Sequence, residues 1–157
     1  MKILLAGEGG QGVQLAAETL AKAAFLEGKS ATLIPNFGVE QRGGVSLAFV
    51  IIEAAGRQIL YPKFSQADVA AIFCDRALIR AKAHLGPKTK VIYGPAMAGQ
   101  PATTLPPKAW NIFVLKRILE ATNIVKKATV WQVLAEKLKV QFAADPHLQR
   151  MDQEALQ

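Results

Sequence analysis

Short apolar runs alternate with stretches in which apolar residues recur at three- and four-residue spacing. The runs Lys2-Ile3-Leu4-Leu5-Ala6, Ser30-Ala31-Thr32-Leu33-Ile34, Val45 to Glu53, Gln58-Ile59-Leu60-Tyr61, Asp68 to Phe73 and Lys90-Val91-Ile92-Tyr93 predict strands. Between the first two, Val13, Ala16, Ala17, Leu20, Ala21 and Ala24 share one face of a helix over residues 11–27, which Gly28 closes. The many alanines on that face allow close approach to a sheet, and Glu18 and Lys22 stand four apart on the outer face. A second helix runs from Asp75 to about Leu85, ended by Gly86-Pro87. A third covers residues 110–121 and is apolar nearly all round, so that part of it is expected to face another chain. A fourth starts at Thr129, with Gln132 completing a capping box. The first strand, helix and second strand form a βαβ unit. Val45 to Glu53 and Gln58 to Tyr61 read as a hairpin around Ala54-Ala55-Gly56-Arg57, which makes the sheet mixed. The pattern predicts an α/β fold, a Rossmann-like domain with a mixed, mostly parallel sheet, spanning residues 1–157 as one domain. Its polar tail, 142–157, is expected to be loosely ordered.

The first strand runs into Gly7-Glu8-Gly9-Gly10-Gln11-Gly12, which opens the first helix. A glycine-rich turn from strand to helix lets backbone N–H groups face an anion, with the helix dipole behind them. The glycines fit the dinucleotide pattern G-x-G-x-x-G: Gly7 for the tight turn, Gly9 for close approach, Gly12 for helix packing. The same spacing also serves a tight turn with no ligand. An NAD-binding unit needs an acidic residue at the end of the second strand, where this chain has Leu33, Ile34, Pro35 and Asn36. No nearby arginine replaces it, so the NAD(P) reading loses most of its support.

The loop that follows, residues 35–44, holds Glu40, Gln41 and Arg42 in succession, then Gly43 and Gly44. Arg42 could fork onto a carboxylate or phosphate, or pair with Glu40. The two glycines would let backbone pass close to a ligand or a partner. If the first two strands run the same way, both loops sit at the C-terminal edge of the sheet, where open α/β sheets bind ligands.

Composition narrows the chemistry. A single cysteine, Cys74, in an apolar run, excludes an internal disulfide and any metal or iron–sulfur site built from several cysteines. His84 and His147 have no metal-ligand or triad spacing, so no catalytic or metal-ligating residue is assigned. No apolar run is long enough to span a bilayer, and the start of the chain lacks a signal-peptide pattern; the cytoplasm is the expected location. The net charge of +7 is uneven, with 12 basic and 2 acidic residues between positions 76 and 139. That bias suggests an acidic partner or polyanionic ligand, or a solvated lysine-rich face. The cations lack interleaved aromatics, which argues against nucleic acid.

Together, Gly7-Glu8-Gly9-Gly10-Gln11-Gly12 after the first strand and Phe37-Gly38-Val39-Glu40-Gln41-Arg42-Gly43-Gly44 after the second resemble the gamma subunit of 2-oxoacid:ferredoxin oxidoreductases. Ala67-Asp68 opening an apolar strand and Asn111 opening the late helix also fit, whereas Leu115-Lys116 stands where the family usually has Leu-Gly. The resemblance covers roughly residues 1–125. It implies a three-layer α/β/α domain in a complex that performs CoA-dependent oxidative decarboxylation of pyruvate, 2-oxoglutarate, a branched-chain 2-oxoacid or indolepyruvate. It also implies that thiamine diphosphate and iron–sulfur clusters sit on companion chains, none on this one. The implied partners are alpha and beta subunits, a ferredoxin-like delta subunit, and ferredoxin as electron acceptor. Carried over position by position, Gly9, Gly10, Gln11 and Gly12 would form the first loop of the site. Glu40, Gln41 and Arg42 would form the second, with Gly43 and Gly44 allowing close approach. The contrasting reading is a stand-alone Rossmann-like nucleotide-binding or regulatory module.

Overall fold

A computed structural model describes residues 1–36, 44–100 and 104–157. Five strands, β1 (Lys2–Glu8), β2 (Ser30–Asn36), β3 (Val45–Glu53), β4 (Val69–Cys74) and β5 (Lys90–Ala96), form one sheet in the order β2-β3-β1-β4-β5. β1 pairs with β4, and β4 with β5, in parallel; β3 runs antiparallel to both β1 and β2. Four strands therefore point one way and β3 alone opposes them. This places β3 between the two strands of the expected βαβ unit. The expected hairpin is not formed: residues 58–61 adopt no strand, and β3 finds its partners in β1 and β2 instead. Local alternation could not reveal this, because a strand buried on both faces reads as a plain apolar run whatever its neighbours.

β1 is central, and Ile3, Leu4, Leu5 and Ala6 are wholly inaccessible. On one face lie α1 (Val13–Leu26), α3 (Trp110–Thr122), α4 (Lys127–Lys137) and α6 (Pro146–Leu156), sharing a core with Ile3, Leu5, Val50 and Ile52. On the other lies α2 (Asp75–Ala81), continued by a 3-10 turn at Lys82–His84, over Leu4, Ala6, Phe49 and Ile72. This is the three-layer α/β/α arrangement. The alanines of α1 bring it close to the sheet, with Ala16, Ala17, Ala23 and Ala24 at zero exposure. α1 ends in a Schellman motif: Lys29 N–H donates to Ala24 O at 3.0 Å and Gly28 N–H to Phe25 O at 2.9 Å, with Gly28 at φ 75°.

Several expectations from sequence change at the tertiary level. Glu18 and Lys22 do not serve each other; Glu18 accepts from Lys137 at 2.6 Å and Lys22 donates to Glu136 at 2.8 Å, stitching α1 to α4. Thr129 is not a cap, because α4 begins at Lys127 with Lys126 at its N-cap. Glu27, at the end of α1, accepts instead from the Lys126 N–H at 2.7 Å. The tail expected to be loosely ordered carries α5 (Lys139–Ala144) and α6, whose Met151, Ala155 and Leu156 are buried with Ile112, Leu115 and Ile118 of α3. The chain's own tail thus covers part of the apolar surface of α3. The polar character of that tail belongs to its outer face: Gln153 and Glu154 are exposed.

Candidate functional site

β1, β2, β4 and β5 all point toward one edge of the sheet, and the candidate loops gather there. α1 leaves β1 toward one face while α2 leaves the neighbouring β4 toward the other. The connections from two adjacent parallel strands thus diverge between β1 and β4. Such a switch point opens a crevice beyond the strand ends, the usual ligand site of open α/β sheets.

The glycine turn occupies that position. Gly7 is buried where no side chain fits: a Cβ there would stand 2.6 Å from Val13 Cγ2 and 3.0 Å from Phe73 Cβ. Next, Glu8 and Gln11 close the turn reciprocally. The Glu8 N–H donates to Gln11 Oε1 at 2.8 Å, and the Gln11 N–H donates to Glu8 O at 3.1 Å. Gln11 is therefore committed to holding the turn. Gly9 and Gly10 are exposed, and Gly10 takes φ 94° with open space where a Cβ would be. Gly12, at φ 74°, is the N-cap of α1, and no side chain among the described residues caps that helix end. Among the described residues the first turn of α1 therefore presents N–H groups without a side-chain cap, together with the positive end of a 14-residue helix. No acidic residue lies in that first turn to compete with an anion.

The second loop meets the first at Gly44, which is buried and accepts a hydrogen bond from the Gly9 N–H at 3.1 Å. Glu40, Gln41, Arg42 and Gly43 lie outside the described residues. Of the nine residues singled out from sequence, Gly9, Gly10, Gln11, Gly12 and Gly44 are brought together.

Four further residues build this edge. Gln14, in the first turn of α1, donates from Nε2 to Ser46 Oγ at 2.8 Å and to Leu47 O at 3.3 Å, fixing the start of β3 to the glycine turn. Arg76, at the start of α2, reaches across the switch point to Glu8 with Nη1 3.3 Å from Oε1. Asn111 is buried, and its amide presses on Gly12 from the start of α3. Its Oδ1 has no hydrogen-bond partner among the described residues. Glycine spacing locates none of these four, because they come from separate elements. A polar residue opening a helix after an apolar strand, as with Asp75-Arg76, is the signal that could have pointed to Arg76.

Among the described residues no cluster of three or more His, Cys, Asp or Glu is placed to hold a metal ion, and Cys74 is free and buried. His84 sits edge-on to Phe49 with ring centroids 4.9 Å apart, its Nδ1 3.1 Å from Ser65 O, a packing role. No described helix is long and apolar enough to cross a membrane.

The family pattern for pyruvate ferredoxin/flavodoxin oxidoreductase matches residues 2–145. The chain is 36% identical over 93 residues to the 2-oxoglutarate synthase subunit KorC of Archaeoglobus fulgidus, covering 59% of this chain and 49% of that one. It thus spans about half the length of that curated relative, and less of others. The 2-oxoglutarate:ferredoxin oxidoreductase of Magnetococcus marinus, solved with 2-oxoglutarate, coenzyme A and succinyl-CoA bound, superposes with a TM-score of 0.81 at 22% identity. That match covers 99% of this chain and 29% of the larger one. The keto/oxoacid ferredoxin oxidoreductase gamma subunit of Geobacter sulfurreducens superposes with a TM-score of 0.68 at 20% identity, covering 99% of this chain and 95% of that one. These structures share the fold, and the sequence match over residues 2–145 sets the kinship: this chain belongs to the pyruvate ferredoxin/flavodoxin oxidoreductase family.

Proposed function

We propose that this chain is the gamma-type component of a 2-oxoacid:ferredoxin oxidoreductase, a non-catalytic subunit that lines the CoA side of the active site and contacts companion chains. In that reaction the 2-oxoacid loses carbon dioxide, its acyl carbon joins the sulfur of CoA, and the electrons released pass to ferredoxin. The observation that carries the reading is the uncapped glycine turn at the β1/β4 switch point, joined through Gly9 and Gly44 to the second loop, in a chain of this family. CoA bears phosphates, and the α1 N-terminus with Arg76 nearby offers N–H groups and a cation for them. Arg42, carried by the second loop, is the further candidate for that anion or for a partner chain. A single buried cysteine does not supply the several thiolates of an iron–sulfur cluster. In this reading, which follows the family resemblance, the clusters and thiamine diphosphate are carried by alpha, beta and delta companions. The stand-alone dinucleotide reading has less support, because β2 ends on Asn36 where a ribose-binding acid would stand.

Native purification on a tag at this chain, with mass spectrometry and an optical spectrum, tests the reading. Co-elution with larger chains, thiamine diphosphate and a brown iron–sulfur absorbance is expected. A colourless, folded chain eluting alone would reject it. Within the complex, Arg42→Ala should lower turnover at limiting CoA without unfolding this chain, and unchanged turnover at limiting and saturating CoA would remove Arg42 from the site.

A further inference from the structure

The opposite edge of the sheet carries a second surface that the glycine turn does not use. Residues 54–68 join β3 to β4 without helix or strand. Of these, residues 57–61 and 63–65 wall a cleft of about 490 Å³ together with Ile51, with Lys2, at the start of β1, and with Glu53, at the end of β3. The seven residues of β1 separate this cleft from the glycine turn, roughly 20 Å at the rise of a strand.

Its lining is unbalanced. Among the described residues Lys2, Arg57 and Lys63 contribute three cations to it and Glu53 one carboxylate, with Arg57 Nη1 3.9 Å from its Oε2. Leu60 and Tyr61 line the same cleft and are 73% and 80% exposed. The stretch is nonetheless anchored. Phe64 is buried edge-on to Phe49 with centroids 5.2 Å apart, and Lys63 Nζ stands 5.1 Å over the Phe49 ring. The anchoring leaves Leu60 and Tyr61 outside the core on a fixed base, which lowers the ordering cost of binding. Tyr61 and Arg57 are of the residue types enriched at interface hot spots, and Leu60 adds apolar area beside them.

We propose that this cleft docks an acidic segment of a companion subunit, its carboxylates facing Lys2, Arg57 and Lys63 and an apolar side chain packing on Leu60 and Tyr61. Charge complementarity selects the occupant: three cations against one carboxylate favour an acidic polypeptide over a second copy of this basic cleft. The inference rests on the subunit reading above and adds which surface holds the partner, away from the ligand edge.

The test uses the full chain, tagged in its own cells, as wild type and as the exposed-site variants Arg57→Glu/Lys63→Glu and Tyr61→Ala. Companion oxidoreductase chains recovered per tagged chain are quantified by mass spectrometry at 50 and 300 mM salt, with circular dichroism to check folding. The charge-reversed variant should recover at least tenfold less companion chain, Tyr61→Ala several-fold less, and wild-type recovery should fall with salt. In addition, a photo-crosslinking benzoylphenylalanine in place of Tyr61 should join an acidic peptide of a companion chain. Equal recovery by folded variants, or a crosslink to a second copy of this chain or to no polypeptide, would overturn the docking proposal. Failure of the wild type to recover any companion oxidoreductase chain would instead reject the subunit reading itself.

Discussion

Asn111 and Gly12 fit each other so closely that neither site is independent. A Cβ built on Gly12 would stand 2.8 Å from Asn111 Cγ, and Gly12 already holds φ 74°. The late helix α3 thereby sets the backbone at the start of α1, although 99 positions separate the two residues in sequence. Gly12→Ala should destabilise by about 2–3 kcal/mol, combining the left-handed backbone cost with overpacking. Part of that loss is collision, so adding Asn111→Ala should recover about 1 kcal/mol relative to the sum of the single changes. Urea denaturation of the four proteins measures it, and strict additivity would show that the two residues do not press on each other.

A second prediction concerns α6. Removing residues 146–157 strips Met151, Ala155 and Leu156 from the core they share with α3. Burial of side chains the size of Met151 and Leu156 contributes about 1.5–3 kcal/mol each, so truncation should cost at least ~3 kcal/mol and expose surface that binds a hydrophobic dye. A truncated chain with an unchanged denaturation midpoint would mean that the helix is dispensable.

Asp152, on the same helix, is 3% exposed, and its Oδ1 has no hydrogen-bond partner among the described residues. Burial pushes its carboxyl up from the usual 3.8 to about 6. Because the folded value is raised, the proton is held more tightly when folded. Below pH 3.8 both states are protonated and there is no penalty; between 3.8 and about 6 the penalty grows. Above pH 6 it is complete, on the order of 3 kcal/mol. Asp152→Asn should therefore raise the melting temperature at pH 8 more than at pH 4. The same shift at both pH values would assign the effect to something other than this carboxyl.

Glu27 makes the opposite case. Burial pushes its carboxyl up, but the Lys126 N–H, the Thr129 hydroxyl and the Lys29 ammonium together hold it below the usual 4.5. Its contribution is present above pH 4.5 and is lost as pH falls through the lowered value. Glu27→Gln keeps the shape and removes the charge, so at pH 7 it should cost about 1–2 kcal/mol. The difference from wild type should shrink in acid. A constant difference from pH 7 down to pH 3 would exclude a role for the charge.

Local signals in the sequence determined much of this protein. The apolar runs marked all five strands; β1, β3 and β4 are buried on both faces and need continuous apolar side chains, while the edge strands β2 and β5 are only partly buried. The turn Gly7–Gly12 marked the first strand-to-helix junction, since the left-handed backbone at Gly10 and Gly12 and the crowding at Gly7 admit glycine most easily. The paired loops were enough to suggest the family. Tertiary structure decided the rest, through contacts between residues far apart in the chain. It placed β3 between β1 and β2, sent Lys137 to Glu18 and Lys22 to Glu136, and laid the polar tail on α3. It also assembled Gln14, Ser46, Arg76 and Asn111 around the glycine turn. Periodicity records which face of an element is buried, but not which element buries it; that choice is settled by packing the whole chain at once.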